Sequence, residues 1–405
     1  MLANLAFQTA DRAVPFRNPF LALRVDGPFE IDRFAAALAL LVQRHGVLRA
    51  ELDTTTTASM RVRDDLDLPL DLVPRCPDPD ALLTVQEWQH FDLGRAPLWR
   101  VSVVALGPDA HIISFAFSHL IWDGVSMRTF LSLLAREYAE PGSTGPPGQY
   151  IEFVEAARAE RASRCGVSWA PSIRTAVADA VRTRQTLEPE MTALDPRCIP
   201  FVIGRDAMDR WRQRAPSDGS TPFLRFLEAY LTAAAAQFGR TQLITAFATS
   251  RLDLRPTDDT LGYFSDLSLA IASNRPDAGN RSPLCPVAPA LSWSEMADLV
   301  GPMTCPQELY DVWARGPVFA GVPGLAEVFP GTRTAVLPLT PGHRLPVTDS
   351  EQRRVLSGQI VPSLVVDDLL DGTGYLQFNA AALPRRPVRA LIERFASDFV
   401  DGPKG

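Results

Sequence analysis

Five histidines are spread along the chain, and one of them has neighbours that suggest chemistry. His119 follows the apolar run 111–117 (HIISFAF) at once, and Leu120-Ile121-Trp122-Asp123-Gly124 leads from it into residues of helical spacing. An imidazole, with an ordinary pKa of about 6.5, can accept a proton from a hydroxyl or an amine near neutral pH. On a turn from strand to helix it would stand where ligands collect in open α/β sheets. Asp123 could cap that helix, and Gly124 would permit an unusual backbone angle. Spacing alone also fits a core histidine beside a capping aspartate. His45 ends a helical stretch, where an imidazole complements the C-terminal dipole. His90, His111 and His343 have no acidic or nucleophilic neighbour at a telling spacing.

The elements that must position His119 can be read on both sides of it. Residues 19–25 (PFLALRV) alternate like a strand, and 34–48 carry apolar residues at helical spacing. Strands are expected at 98–105 and 111–117, paired as a hairpin through Gly107-Pro108-Asp109. Met127, Phe130, Leu131, Leu134 and Tyr138 mark an amphipathic helix over 125–138. Residues 140–148 (EPGSTGPPG) read as a loop and 151–164 as a polar helix, with a hinge nearby. Further on, Thr221-Pro222 opens a helix that Gly239 closes, and 242–248 is a strand. A Pro-rich connector follows at 274–289. Strands at 360–366 and 374–379 turn around Asp371-Gly372, and 387–400 is a closing amphipathic helix. The same strand, loop and helix rhythm on either side of a polar middle predicts an α/β (or α+β) class with two lobes, 1–165 and 166–405.

Composition removes several classes of function. The 405 residues are 46% hydrophobic and 21% charged, which suits a globular chain with a large core. A net charge of −7 lacks the basic excess that a phosphate backbone requires, so no nucleic-acid partner is expected. Lys404 in the tail is the single lysine, which argues against a P-loop or a pyridoxal Schiff base within the fold. Five scattered cysteines without a CxxC pair predict a reduced, intracellular protein with no metal site. The start has no leader pattern, and the apolar run 35–42 is too short to span a bilayer, so a cytoplasmic protein without a membrane partner is expected.

The motifs then carry a resemblance. Ser118-His119-Leu120-Ile121-Trp122-Asp123-Gly124 resembles the HHxxxDG signature of the condensation domains of nonribosomal peptide synthetases, within the chloramphenicol acetyltransferase-like superfamily. Residues 44–49 (RHGVLR) look like that family's RHexLR segment, and 91–100 (FDLGRAPLWR) like its FDLxxGPLxR segment. Residues 149–153 (QYIEF) fall where a Tyr-x-Asp-Phe-like stretch stands. Thr249-Ser250-Arg251 followed by 261–267 (LGYFSDL) resembles the gR and GxFxN block. The order runs from about residue 19 to the last helix.

What the resemblance implies is a pair of chloramphenicol acetyltransferase-like lobes in a V-shaped pseudo-dimer, with an active-site tunnel between them. It implies acyl transfer from the phosphopantetheine thioester of a carrier protein to an amine or hydroxyl on a small-molecule or carrier-bound acceptor, without a metal or bound cofactor. It gives His119 and the Gly124 amide catalytic roles and makes Asp123, Arg251 and Ser118 structural, with Asp123 paired to Arg251. Strand alternation would turn Ser118 inward. Trp122, Tyr263, Asp266 and Ser363 are expected along the tunnel. Ser118 departs from the usual first His, and Asp266 from the usual Asn. A monomer is expected, served by a carrier in trans; Arg158, Arg161 and Arg164 lie on roughly one helix face that suits an acidic carrier and fits an ordinary solvated helix equally well. Two other readings compete: an acyltransferase using acyl-CoA, although the DFGWG motif of plant alcohol acyltransferases is missing, and a non-catalytic module that recruits a partner enzyme.

Overall fold

The computed structural model describes residues 18–53, 59–163, 196–213, 222–237, 242–273, 284–291, 315–319, 328–337, 363–368, 371–380 and 385–401. In chain order the first elements are β1 (Phe20–Asp26), α1 (Ile31–Arg44), β2 (Ala50–Asp53), β3 (Ser59–Val62), β4 (Leu70–Val73), α2 (Pro79–Trp88), β5 (Trp99–Gly107), β6 (Ala110–Phe117), α3 (Gly124–Ala139) and α4 (Tyr150–Ser163). After them come β7 (Pro196–Val202), α5 (Arg205–Gln213), α6 (Pro222–Gln237), β8 (Gln242–Ser250), β9 (Ser265–Ser273), β10 (Leu284–Leu291), β11 (Arg315–Phe319), β12 (Arg333–Val336), β13 (Ser363–Asp368), β14 (Thr373–Asn379) and α7 (Arg385–Asp401).

The chain divides into two compact units, but a single cut at 165 does not separate them. Residues 250–265 and 322–340 belong with 1–167 in the first unit, and the remainder forms the second. Hydrogen bonding explains the return: β12 pairs antiparallel with β1 (Leu23 opposite Val336), and 262–265 is held by side chains of α3 and its cap.

The first unit is built on a sheet of order β12-β1-β6-β5-β4. Period-two alternation sorts its side chains. Leu21, Leu23, Val101, Val103, Ile113, Phe115 and Phe117 point into a core shared with Phe34 and Leu38 of α1 and Phe130 and Leu134 of α3. Ala22, Val104 and Ile112 point the other way and are covered by Leu83 of α2. The expected hairpin forms as β5 and β6, in register from Trp99–Phe117 to Gly107–Ala110. Helix α1 stops at Arg44 with His45 as its C-cap, where its end was expected although helical spacing runs on to 48, because the Gln149 side chain takes over the backbone there: its Nε2 donates to Arg44 O, and its Oε1 accepts from Gly46 N at 3.1 Å.

In the second unit the sheet β11-β13-β14-β7 is covered by α6 and α7, with Phe226, Leu227, Phe395, Leu364, Val366, Leu376 and Phe378 in the core. The β13–β14 hairpin closes at Gly372, whose φ of +62° suits a residue without Cβ. A three-stranded sheet of order β10-β9-β8 completes the unit. The Pro-rich segment 274–289 was expected to be a connector, yet 284–291 is strand β10. It lies at a sheet edge, where Pro286 and Pro289 cost no ladder bond on the open side. The expected Thr221 cap and Gly239 stop lie outside the described residues. No helix among the described residues is long and apolar enough to cross a membrane.

Candidate active site

Strand β6 ends at Phe117, and the next six residues make a tight turn before α3. Ser118 N donates to Leu98 O, and Ile121 N donates to Ser118 O, so the turn is pinned to the start of β5. Ser118 is fully buried, and its Oγ accepts from Leu120 N at 3.4 Å. Leu120, Ile121 and Trp122 are also buried, whereas His119 between them is half-buried. The turn therefore anchors every neighbour of the imidazole and leaves the ring at the surface of the core.

The imidazole Nδ1 lies 2.9 Å from Trp122 O. A carbonyl oxygen only accepts, so Nδ1 carries the proton, and in the neutral ring Nε2 is the basic nitrogen. That is the tautomer a general base requires. The Tyr263 ring stands edge-on to the imidazole, with centroids 5.7 Å apart and planes at 71°.

Asp123 caps α3: its Oδ1 accepts from Ser126 N at 2.9 Å. Its Oδ2 accepts from Phe264 N at 2.8 Å and Ser265 Oγ at 3.0 Å. The expected ion pair with Arg251 is absent. Arg251 instead binds Glu160 (2.5 Å) and Asp253 (2.9 Å), and those carboxylates raise its pKa. The physical reason is that Asp123 already has three donors at a helix N-terminus, where the dipole favours negative charge. Arg251 contributes through its backbone, whose N–H donates to Phe264 O at 2.8 Å.

Two further expectations change. Trp122 is not a tunnel wall: it is fully buried in the core, stacked on Phe117 at 3.9 Å and edge-on to Phe130. Gly124 is exposed, has no positive φ, and a Cβ there would meet nothing within 4 Å. Its amide is one of the first-turn N–H groups that the helix itself cannot satisfy. Tyr263 does lie beside His119. Asp266 is the second residue of β9, after Ser265, and Ser363 begins β13; their side chains lie outside the described residues.

The remaining motif segments are braces. Trp99 Nε1 donates to Leu48 O, Arg44 binds the buried Glu137, and Arg100 stacks on Phe91 at 4.1 Å. His45 is buried, which pushes its pKa down to about 4, with Arg44 adding to the effect. His111 is held low by burial within an aromatic cluster that includes Phe29. His343 and Arg164 lie outside the described residues, as does the side chain of Arg161; Arg158 is exposed on α4. Among the described residues no three His, Cys, Asp or Glu side chains gather as metal ligands. Sequence reasoning missed Ser126 and the Tyr150 hydroxyl, which donates to Tyr263 O at 3.1 Å. Both act on residues more than a hundred positions away, and no local pattern marks them.

Comparison with known proteins bears on the fold. Residues 10–165 match the family described as Condensation domain. The chain is 27% identical over 227 residues to tyrocidine synthase 3 of Brevibacillus parabrevis, covering 55% of this chain and 4% of that protein. Among solved structures, the X-domain from teicoplanin biosynthesis superposes with a TM-score of 0.67 at 19% identity, covering 99% of this chain and 94% of the other. VibH, an NRPS condensation enzyme, gives 0.62 at 15% identity, covering 98% and 94%. The chain thus has the α/β fold of a condensation domain, and its residues 10–165 carry that family's sequence pattern.

Proposed function

We propose that this chain is an acyltransferase of the condensation type, joining an acyl or aminoacyl group from a carrier protein's phosphopantetheine thioester to an amine or hydroxyl. The observation that carries the reading is the Nδ1 hydrogen bond to Trp122 O, which makes Nε2 the basic nitrogen of the neutral His119 ring. The acceptor N–H or O–H donates to Nε2, and its heteroatom attacks the thioester carbonyl. The proton passes to Nε2, the C–S bond breaks, and the proton returns to the leaving thiolate. The amide of Gly124 supports the tetrahedral oxyanion. Asp123 and Ser118 hold the turn and take no part in the chemistry. The carrier docks through the Arg158 face of α4. No cofactor beyond the donor's own arm is required, and the protein works as a cytoplasmic monomer.

The experiment offers acyl-carrier and acyl-CoA donors with amine and hydroxyl acceptors, and reads product by mass spectrometry. Carrier-dependent product supports the reading, whereas CoA-dependent product alone transfers it to the acyl-CoA alternative. His119→Ala, with folding checked by circular dichroism, should lose about 10²–10⁴-fold if the imidazole is a base. A loss of about ten-fold would indicate orientation of an already neutral amine.

A second reading is favoured by one observation. The teicoplanin X-domain to which the chain is similar has been crystallised in a complex with OxyB, and Ser118 replaces the first motif His. On that reading the chain recruits an enzyme and does not turn over, so every donor and acceptor pair would give no product.

A further inference from the structure

Between α2 and the strands β4 and β5 lies a cavity whose two charged residues are close together and yet not paired. Asp71 of β4 stands opposite Ser102 of β5, and strand alternation puts Arg100, two residues before Ser102, on the same face. Strand spacing sets the Asp71 and Arg100 backbones about 8 Å apart. The half-buried Arg100 guanidinium turns instead to the carbonyl end of α2, where it donates to Gln89 Oε1, Gln89 O and His90 O. All three acceptors are neutral. Two of the five N–H groups of a guanidinium are left over, and its charge has no carboxylate partner among the described residues. Burial pushes the Arg100 pKa down to about 10. Asp71 is exposed and makes no hydrogen bond or ion pair among the described residues. Ser102, 2% exposed, accepts from Gln86 Nε2, so its own hydroxyl proton lacks an acceptor among the described residues.

The cavity measures about 420 Å³, and beside these three polar residues its wall is largely apolar, with Leu82 and Val85 of α2 facing it. The charges select the ligand. A simple anion on Arg100 would face the like charge of Asp71, and a simple cation on Asp71 would face Arg100. A zwitterion satisfies both, and an apolar group on it would cover Val85, which is 58% exposed. We propose that this cavity binds a free α-amino acid with an apolar side chain, its carboxylate accepting from Arg100 and Ser102 and its ammonium donating to Asp71. The site lies on the face of the sheet opposite α1 and α3, and it is independent of the chemistry proposed for His119.

The test is calorimetric titration of the full chain with L-leucine, which should saturate with a Kd of about 1 mM, as suits a small ligand in a partly open site. Isocaproate, which lacks the ammonium, and isoamylamine, which lacks the carboxylate, should each bind about ten-fold more weakly, because each forfeits one charge-assisted contact. Asp71→Asn should weaken leucine about ten-fold, to the level of isocaproate, and Arg100→Gln should bring it to the level of isoamylamine. His119→Ala should bind leucine as wild type does. The proposal is overturned by the absence of saturable heat, by analogues that bind as well as leucine, or by inorganic phosphate binding more tightly than leucine, which would mark a plain anion site. Unchanged leucine affinity in folded Asp71→Asn would also overturn it, since leucine held elsewhere, as an acceptor near His119 for instance, is indifferent to that change. Should Arg100→Gln, which also uncaps α2, fail to fold, Asp71→Asn and the two analogues decide the matter.

Discussion

Helix α3 has a buried carboxylate at each end, and the two are satisfied by different means. At the N-terminus Asp123 accepts hydrogen bonds, among the described residues, from neutral groups, Ser126 N, Phe264 N and Ser265 Oγ, while Arg255 acts on it through charge without a hydrogen bond. Near the C-terminus Glu137 accepts from Gly142 N, Thr144 N and Thr144 Oγ1, and it also needs the Arg44 guanidinium at 2.6 Å. The helix dipole accounts for the contrast. Negative charge is stabilised by the amide end of a helix and disfavoured at its carbonyl end, by up to about 2 kcal/mol in partly buried geometries. A cation is therefore required at one end and dispensable at the other. The lesson bears on motif reading: a buried aspartate does not announce its partner, because the partner depends on where along a helix it sits.

Removing the cation at the C-terminal end should have the largest effect. Arg44→Ala leaves Glu137 charged and buried without its guanidinium, and a loss of about 3–5 kcal/mol is expected in urea unfolding. A loss below about 1 kcal/mol would break the contrast.

The pH dependence of stability probes the same end. His45, next to Arg44, has its pKa pushed from 6.5 to about 4, chiefly by burial. The unfolded chain therefore takes up that proton first. Its contribution, on the order of 3 kcal/mol, is whole above pH 6.5 and drains away as pH falls through about 4. Burial would raise the Glu137 carboxyl, but hydrogen bonds from Thr144 and Gly142 and the charge of Arg44 hold it below 4.5. Its contribution is present above 4.5 and disappears as pH falls through the lower folded value. Denaturation midpoints against pH should show His45→Gln flattening the upper part of the acid limb and Arg44→Ala the lower.

At the N-terminal end, Asp123→Ala orphans the amides of Ser126 and Phe264 and should cost roughly 2–3 kcal/mol in the same unfolding assay. Asp123→Asn keeps one acceptor oxygen and should cost roughly half as much. A loss for Asn as large as that for Ala would show that the charge itself matters there. The smallest effect belongs to Arg251→Ala. Its ion pairs with Glu160 and Asp253 are partly solvent-exposed, so a loss of about 1 kcal/mol or less is expected, and a loss like that of Arg44→Ala would restore a link to Asp123.

The elements around His119 were legible in the sequence because period and turn residues are local properties. Strands at 98–105 and 111–117 and a helix from 125 are found as β5, β6 and α3 within two residues at each boundary. The tautomer of His119 was not legible, since it depends on one carbonyl three residues away and on how tightly the turn closes. Tyr263 was expected near the site only through the resemblance, and Ser126 was not expected there, because its partner is 136 residues distant. Strand β10 was hidden by its prolines, which argue against a central strand but permit an edge. The two-unit organisation was visible as rhythm, but the return of 250–265 and 322–340 was not, because pairing register between remote segments leaves no mark on either one.

The pairing of β1 with β12 also sets an order of events during synthesis. Strand β1 is made early in its own unit, and its outer edge waits for residues 333–336, about 170 residues after the first block of that unit has ended. At ordinary translation rates that interval is on the order of ten seconds. Throughout it the nascent chain carries an open strand edge and a capping aspartate whose partners, Phe264 and Ser265, arrive only part of the way through. Expression yield should therefore respond to chaperone supply and growth temperature more than the final core would suggest, because the vulnerable species is a half-made chain.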